Sequence, residues 1–172
     1  MKSICVYCGS ADNLRLEYLE AADQMGAVAD GALQASGQVV GVIPELFNTP
    51  RLAHMGLTRL EVVASMHERK ERLARAADSF VALPGGYGTF EELFEILTWS
   101  QIGLHQKPVG LLNVLGYFEP LLAMVEHARG EGFIYAEHRA LLIHSETPEE
   151  LLDSLTNYQP PTGLERWLTR ED

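Results

Sequence analysis

Three glycines separate an apolar run from a helix-like segment in Pro84-Gly85-Gly86-Tyr87-Gly88-Thr89. Glycine has no Cβ atom, so a loop of this kind lets backbone N–H groups approach a ligand closely. The start of the following helix adds N–H groups without intrahelical acceptors and the positive end of the helix dipole. Together these features predict a phosphate site. The spacing fits neither Walker A, which needs a Lys-Ser/Thr pair after the glycines, nor the dinucleotide pattern G-x-G-x-x-G.

Two carboxylates, Glu91 and Glu92, follow this loop within one helical turn. In a purely structural interpretation the loop is a tight turn without a ligand. Thr89 is then the N-cap of a capping box, and Glu92 reaches back to it. Capping accounts for one Thr and one Glu, but not for three glycines or a second acid. Acids beside an anion site are more often retained where a carboxylate performs chemistry.

A second charged group, Met66-His67-Glu68-Arg69-Lys70, opens a predicted helix. Arg69 offers a bidentate fork to a phosphate or carboxylate, and Lys70 offers a point charge. The alternative is a solvated helix, which two acid–base pairs at i,i+4 spacing would stabilise without a ligand. These pairs are Glu68/Arg72 and Glu71/Arg75.

The two cysteines, Cys5 and Cys8, are spaced as C-x-x-C. A zinc site would need a second Cys/His pair at suitable spacing, and a redox C-x-x-C opens a helix. The sequence around these two residues instead has the pattern of an apolar strand. It therefore predicts two structural cysteines within a buried first strand, and no metal site.

The elements that must position these residues alternate between strands and helices. The strand segments are apolar nearly throughout, as in strands buried on both faces of a parallel sheet. The predicted strands are 3–8, 38–43, 79–83, 108–112 and 141–144, the predicted helices are 13–35, 66–77, 89–103, 117–130 and 148–155, and 51–63 is mixed. This order predicts one α/β domain over residues 1–172, with a doubly wound, Rossmann-like parallel sheet and helices on both faces. Ligands of such folds bind beyond the carboxyl ends of the strands.

The net charge of the chain limits the kinds of molecule that it can bind. The 172 residues include 13 Lys and Arg against 24 Asp and Glu, a formal net charge of −11, which repels nucleic acid and anionic lipid at long range. A phosphate must then bind at a local positive site. No apolar run approaches the ~18 residues of a membrane-spanning helix, and the N-terminus has no signal-peptide cleavage region. We therefore expect a cytoplasmic protein.

The motifs resemble those of the LOG family, formerly described as lysine decarboxylase-like. Its hallmark P-G-G-x-G-T-x-x-E is met by Pro84–Thr89 and Glu92, and its second hallmark M-H-x-R-K is met by Met66–Lys70. Further likeness lies in Cys5–Ser10, Leu97–His105 and Lys107–Gly110. The resemblance therefore covers nearly the whole chain.

The resemblance implies a phosphoribohydrolase. Such an enzyme cleaves the N-glycosidic bond of a cytokinin riboside 5′-monophosphate, releasing free base and ribose 5-phosphate, and AMP is a further candidate substrate. It also implies a homodimer that needs no cofactor. Carried over by motif, Arg69 and Glu92 are the catalytic pair. The residues implied to contact substrate are Lys70, Gly85, Gly86, Tyr87, Gly88, Thr89, Glu91 and Thr98.

The residue types suit this reaction. Glycoside cleavage passes through an oxocarbenium-like state with positive charge at C1′. A carboxylate beside that carbon stabilises the charge and can take a proton from the attacking water. Glu92 is one helical turn from the glycine loop, so the ribose of a phosphate held there would be within its reach. Arg69 would clamp the phosphate or hold Glu92 ionised.

Two segments depart from the family pattern. After the first helix, family members have a strand ending in Y-G-G-G-x-x-G-L-M-G, whereas Ala21–Gln24 here runs directly into Met25-Gly26. Either the chain lacks one wall of the pocket, or the sequence closes over an omitted segment. Arg51 also stands where the family often has the acid of E-L-A-H, which predicts a changed base preference or a surface position.

Two other functions are compatible with the same residues. A module that binds a nucleotide without turnover would keep the glycine loop and lose catalysis. A pyridoxal-phosphate decarboxylase would need a Schiff-base lysine in a pocket, and of Lys2, Lys70 and Lys107 only Lys70 lies in a charged cluster.

Association is also expected, because the predicted helix 89–103 has more apolar surface than one sheet face needs. The residues concerned are Phe90, Leu93, Phe94, Leu97 and Trp99. Arg69 of a partner chain would then complete the site across the interface.

Overall fold

The computed structural model describes residues 1–9, 28–49 and 56–165. These residues form two compact units, each with its own parallel sheet. The first unit comprises the described residues of Met1–Asp12 and Asp78–Asp172, and the second comprises those of Asn13–Ala77.

Strands and helices alternate in both units. The strands are β1 Ile4–Tyr7, β2 Val40–Pro44, β3 Arg59–Val63, β4 Ser79–Ala82, β5 Val109–Leu112 and β6 Leu142–Ser145. The helices are α1 Val28–Gln34, α2 Met66–Ala76, α3 Tyr87–Gln101, α4 Glu119–Gly130, α5 Ala136–Arg139 and α6 Pro148–Thr156. Two short 3-10 turns, Glu45–Phe47 and Val114–Gly116, follow β2 and β5.

The hydrophobic core of the first unit is built on a four-stranded parallel sheet in the order β1-β4-β5-β6. Every residue of the two central strands is buried, and Phe80 and Leu111 have no exposed surface. Gly110 lets α6 lie directly over β5, since a Cβ atom there would be 2.8 Å from Leu151 Cδ1. Burial on both faces explains why these strands are apolar at nearly every position.

In the second unit β2 pairs in parallel with β3, from Val40 opposite Arg59 to Pro44 opposite Val63. Helix α2 packs against both strands. Strand β3 falls in the segment 51–63, where the sequence predicted only mixed structure. Its charged residues and its exposed Leu60 and Val62 obscure the apolar pattern.

A capping box opens helix α2. Oγ of the N-cap Ser65 accepts a hydrogen bond from the Glu68 N–H at 3.2 Å, and Glu68 Oε2 accepts one from the Ala64 N–H at 3.0 Å. Two donors at the helix start are thereby satisfied, as in the S-x-x-E motif. The box fixes the first turn of the helix, which includes Arg69 and precedes Lys70.

Of the two predicted i,i+4 pairs on this helix, one is confirmed. Arg75 and Glu71 lie 2.6 Å apart, whereas Arg72 lies 3.4 Å from Glu61 on β3. The predicted Glu68/Arg72 pair is wrong, because Glu68 is used in the capping box and Arg72 turns toward the neighbouring strand.

The predicted parallel α/β fold is confirmed, and its described strands form two sheets. Within the predicted helix 13–35, Val28–Gln34 is helical and the remainder up to residue 27 lies outside the described residues. The short helix Ala136–Arg139 was not predicted. The single domain over residues 1–172 stays a prediction.

Strand β1 ends at Tyr7, so that Cys5 is buried and Cys8 lies beyond the strand, exposed. The prediction that both cysteines lie in a buried strand is therefore wrong for Cys8. Among the described residues, no group of three or more His, Cys, Asp and Glu side chains could hold a metal ion. In the same part of the chain, no helix is both long enough and apolar enough to cross a bilayer. The cytoplasmic location stays a prediction.

The ring of His105 links α3 to the entry of β5. Its Nδ1 accepts a hydrogen bond from the Lys107 N–H at 3.1 Å, so its Nε2 carries the proton and donates to Ile96 O at 2.9 Å. Burial lowers the pKa of His105 below 6.5. The hydrogen bond to Ile96 raises this pKa in part, and the positive charge of Lys107 lowers it further. The folded protein therefore favours the neutral ring.

We expect His105 to make stability fall as the pH drops below 6.5, because the unfolded chain then binds a proton at this residue that the folded protein does not. Urea unfolding from pH 8 down to about pH 5, in the wild type and in His105→Gln, measures this effect. The variant should be less stable at the upper pH and should lose less stability on acidification. Equal pH slopes in the two proteins would contradict the prediction.

Candidate functional site

The glycine loop leaves β4 and crosses the carboxyl end of β1. The Leu83 N–H donates to Tyr7 O at 2.8 Å, and the Gly9 N–H donates to Pro84 O at 3.2 Å. A Cβ atom on Gly85 would lie 2.8 Å from Gly9 N, closer than real Cβ atoms come. Glycine is required at position 85 because two backbone segments meet there.

Gly86 and Gly88 are glycines for a different reason. Both are exposed, and no described atom lies within 4 Å of the position that a Cβ atom would occupy on either residue. Packing among the described residues therefore does not require glycine at these two positions. Open space beside a backbone without side chains admits a ligand to its N–H groups.

Helix α3 begins at Tyr87, two residues before the predicted start. Its N-cap is Gly86, which has no side chain, so within the described structure the helix start lacks a side-chain cap. The Phe90 N–H donates to Gly86 O at 3.1 Å, so the N–H groups of Tyr87, Gly88 and Thr89 precede the helical hydrogen-bond ladder. These groups and the helix dipole are suited to an anion.

The predicted capping box at Thr89 and Glu92 is therefore wrong. Thr89 is the third residue of the helix, and Glu92 lies in the second turn, where it cannot reach back to an N-cap. The N-cap is Gly86, the residue directly after the close contact of Gly85 with Gly9. Glu92 therefore does not have the capping role that the sequence suggested for it.

Glu92 is half-buried, whereas its neighbour Glu91 is exposed. Desolvation and, to a smaller extent, the negative charge of Glu92 raise the pKa of the Cys8 thiol. The charge of Glu92 is therefore felt at Cys8, just after β1. In the helix, Glu92 follows Thr89 by about one turn.

The other implied contact residues of the first unit differ in their surroundings. Tyr87 is 94% exposed at the start of α3, and Thr89 is buried against Gly85. Thr98 is exposed, and its hydroxyl donates to Phe94 O at 2.7 Å. At 1.5 Å per residue, Thr98 lies about 14 Å along the helix from Thr89, so the structure brings Glu92, but not Thr98, next to the loop.

Arg69 and Lys70 belong to the second unit. The Nε–H of Arg69 donates to Val42 O at 3.2 Å, which holds the planar guanidinium at β2. Lys70 is half-buried on the same helix. The two residues form a local positive group in an acidic chain, as the sequence predicted.

Tyr117 is a further residue at the loop that the sequence did not indicate. Its hydroxyl donates to Gly85 O at 2.6 Å. The available signal was its place shortly after β5, because the carboxyl ends of neighbouring parallel strands share one edge of the sheet.

Comparison with known proteins gives a family for the chain. A family model described as "Possible lysine decarboxylase" matches residues 25–155. A cytokinin riboside 5′-monophosphate phosphoribohydrolase of Arabidopsis thaliana is 39% identical, over 92% of this chain and 83% of the relative. One from Oryza sativa subsp. japonica is also 39% identical, over 92% of this chain and 74% of the relative.

Both alignments extend over 180 positions, more than the 172 residues of this chain. They therefore include positions at which this chain has no residue, as expected where a family segment is missing. The segment in question, around Ala21–Gly26, and the departure at Arg51 lie outside the described residues.

Among solved structures, a molybdenum cofactor binding protein from Rippkaea orientalis matches with a TM-score of 0.63. The match covers 91% of this chain and 99% of that protein at 20% identity. It supports the fold.

We expect the three loop glycines to respond differently to substitution by alanine. Gly85→Ala should destabilise the protein by about 1–3 kcal/mol, because the new methyl group overpacks against Gly9 and Thr89. Gly88→Ala, inside the first turn of α3, should unfold at the wild-type urea concentration or slightly above it, since its added methyl group meets open space. Gly86→Ala should unfold at a slightly lower urea concentration, because alanine is a poorer N-cap than glycine. A Gly85→Ala variant as stable as the wild type would refute this packing argument.

Proposed function

This chain belongs to the LOG family, and from that premise we propose that it hydrolyses the N-glycosidic bond of a nucleoside 5′-monophosphate, releasing free base and ribose 5-phosphate. One observation carries the proposal: helix α3 is capped by Gly86 and not by a side chain. The N–H groups at its start are thereby available to a phosphate, and Glu92 has no place in a capping box.

The 5′-phosphate would bind where Gly86 and Gly88 leave the backbone open. The helix dipole and the N–H groups of the first turn supply positive potential in a chain whose net charge is −11. Arg69 and Lys70 are proposed to add charge at the phosphate, with Tyr87, Thr89, Glu91 and Thr98 as further substrate contacts. Holding the phosphate fixes the sugar and lowers the entropic cost of attack at C1′.

Glu92 is proposed as the catalytic carboxylate. A water attacks C1′, and Glu92 accepts one of its protons as the new C–O bond forms. The C1′–N bond breaks, its electron pair leaves with the base, and the base is protonated on release. Cleavage of the C1′–N bond runs ahead of C–O bond formation, so that positive charge develops at C1′, and the carboxylate of Glu92 stabilises this oxocarbenium-like state. Arg69 clamps the phosphate or keeps Glu92 ionised.

The relatives are named for cytokinin riboside 5′-monophosphates. We propose that this chain acts on such compounds and on AMP, which has the same ribose 5′-phosphate. The decarboxylase activity in the name of the family model is less well supported, because it needs a Schiff-base lysine in a pocket. Lys70, the lysine that lies in a charged cluster, is flanked by Glu68, Arg69 and Glu71.

Glu92→Gln should lower kcat for AMP by about 100- to 10,000-fold and leave AMP binding nearly unchanged, because the amide keeps the shape and loses the base. Release of adenine, followed by chromatography, and AMP binding, followed by calorimetry, measure the two effects. Glu95→Gln is the matched control, since it makes the same change one turn further along α3. A Glu92→Gln variant with wild-type turnover would exclude the carboxylate from catalysis.

The same experiment tests the alternative of a binding module without turnover. Wild-type protein that binds AMP and releases no adenine would favour the module over the enzyme.

We also propose a homodimer that uses the outer face of α3. Leu93 and Ile96 on this helix are buried in the core, and Phe90, Leu97 and Trp99 are half-buried. Phe94 on this helix is 37% exposed. Just past the helix, Ile102 is 43% exposed and Leu104 is 67% exposed. Exposed apolar side chains that form a continuous patch mark interaction surfaces, and we propose that these three residues contribute to one.

Light scattering should give a particle of twice the 19.1 kDa chain mass. Phe94→Glu should shift the particle toward the single-chain mass, because a charge would be buried at the interface. Phe133→Glu introduces the same change at another exposed site and should leave the mass unaltered. A wild type that scatters as a single chain at micromolar concentration would rule out the dimer.

A further inference from the structure

We propose that Tyr117 is a positioning residue that fixes the Gly85–Gly86 peptide and so directs the Gly86 N–H toward the substrate phosphate. The inference rests on the proposed function, since the phosphate is that of the proposed substrate. Its basis is the 2.6 Å hydrogen bond from the Tyr117 hydroxyl to Gly85 O, which joins the turn after β5 to the loop after β4.

The turn that presents Tyr117 is organised by Asn113. This residue is 2% exposed, and its N–H donates to Ser145 O, beside it on β6, at 2.7 Å. Its Oδ1 accepts from the Phe118 N–H at 2.7 Å, and its Nδ2 donates to Glu119 Oε1 at 2.7 Å. The backbone N–H of Asn113 therefore binds the sheet, and its side-chain amide binds the two residues that follow the tyrosine.

Between these bonds the backbone adopts an uncommon conformation. Leu115 has a φ angle of 51°, in the left-handed region, and for a residue other than glycine such a conformation persists only where the surrounding contacts require it. The ring of Tyr117 packs edge-on against Phe118, with centroids 5.0 Å apart, and Phe118 has no exposed surface. The hydroxyl is thus held by a rigid support.

The effect on the loop follows from peptide geometry. A trans peptide is planar, with its C=O and N–H on opposite sides. Holding Gly85 O toward Tyr117 therefore turns the Gly86 N–H to the other side of the loop. If this peptide rotated, a carbonyl oxygen would replace the donor and repel a phosphate.

No side chain of its own restricts the rotation of the Gly85–Gly86 peptide. It joins two glycines, and no described atom lies within 4 Å of the position of a Cβ atom on Gly86. Glycine backbones adopt many conformations, so the hydrogen bond from Tyr117 selects among them.

Tyr117→Phe tests the role of the hydroxyl, because it keeps the ring and its packing on Phe118. We expect KM for AMP and the Kd for ribose 5-phosphate to rise about 3- to 10-fold, with kcat at saturation nearly unchanged. Hydrolysis of adenosine, which has no phosphate, should not change. Tyr158→Phe is the matched control, since Tyr158 OH is buried and makes no hydrogen bond in the described structure.

The outcomes separate the two proposals. A wild type that hydrolyses AMP, beside a Tyr117→Phe variant with wild-type KM and Kd, would overturn the role of Tyr117 alone. A wild type that binds neither AMP nor ribose 5-phosphate would remove the proposed function together with this inference.

A loss of kcat with unchanged KM, or an equal loss toward adenosine, would indicate a general structural defect and also overturn the inference. If the variant does not fold, a crystal structure of the wild type with AMP decides. The Gly86 N–H must then donate to the phosphate while Tyr117 retains Gly85 O.

Discussion

The contact of the glycine loop with the end of β1 is the constraint on which the candidate site depends. The backbone at Gly85 lies so close to Gly9 that no side chain fits between them, and the Gly9 N–H holds Pro84 O. This contact determines where the chain can turn into helix α3, and it leaves Gly86, a residue without a side chain, as the N-cap. Because no side chain occupies the helix start, its N–H groups remain a site for an anion.

Helices α2 and α3 differ in whether side chains bind the N–H groups at their starts. In α2 the side chains of Ser65 and Glu68 satisfy the first donors, so the helix start is closed and Arg69 and Lys70 are displayed beside it. In α3 no side chain caps the start of the helix, and Glu92 lies one turn later. An acidic residue near the proposed phosphate site is unfavourable by itself, and its placement is understandable because the proposed reaction develops positive charge at a neighbouring carbon.

The support for the loop comes from the core of the first unit. Strands β4 and β5 are buried at every position, and Gly110 brings α6 against the sheet. Beyond β5, the buried Asn113 organises a turn whose tyrosine reaches back to Gly85. Three neighbouring strand ends thus determine the conformation of a few exposed residues, which is how a parallel sheet builds a rigid site from flexible loops.

The sequence by itself determined the parallel α/β fold, since continuous apolar runs between helical segments have few other solutions. It also determined the glycine loop and the motif residues Arg69 and Glu92, because these are local patterns. The sequence did not determine where helix α3 begins. Thr89 and Glu92 match the capping-box pattern as well as Ser65 and Glu68 do, and only the latter pair caps a helix in the structure. The tertiary contact of Gly85 with Gly9 lies directly before the observed helix start, and only the fold brought Tyr117 to a carbonyl 32 residues away. Both depend on which strands are neighbours in the sheet, and spacing along the chain does not contain that information.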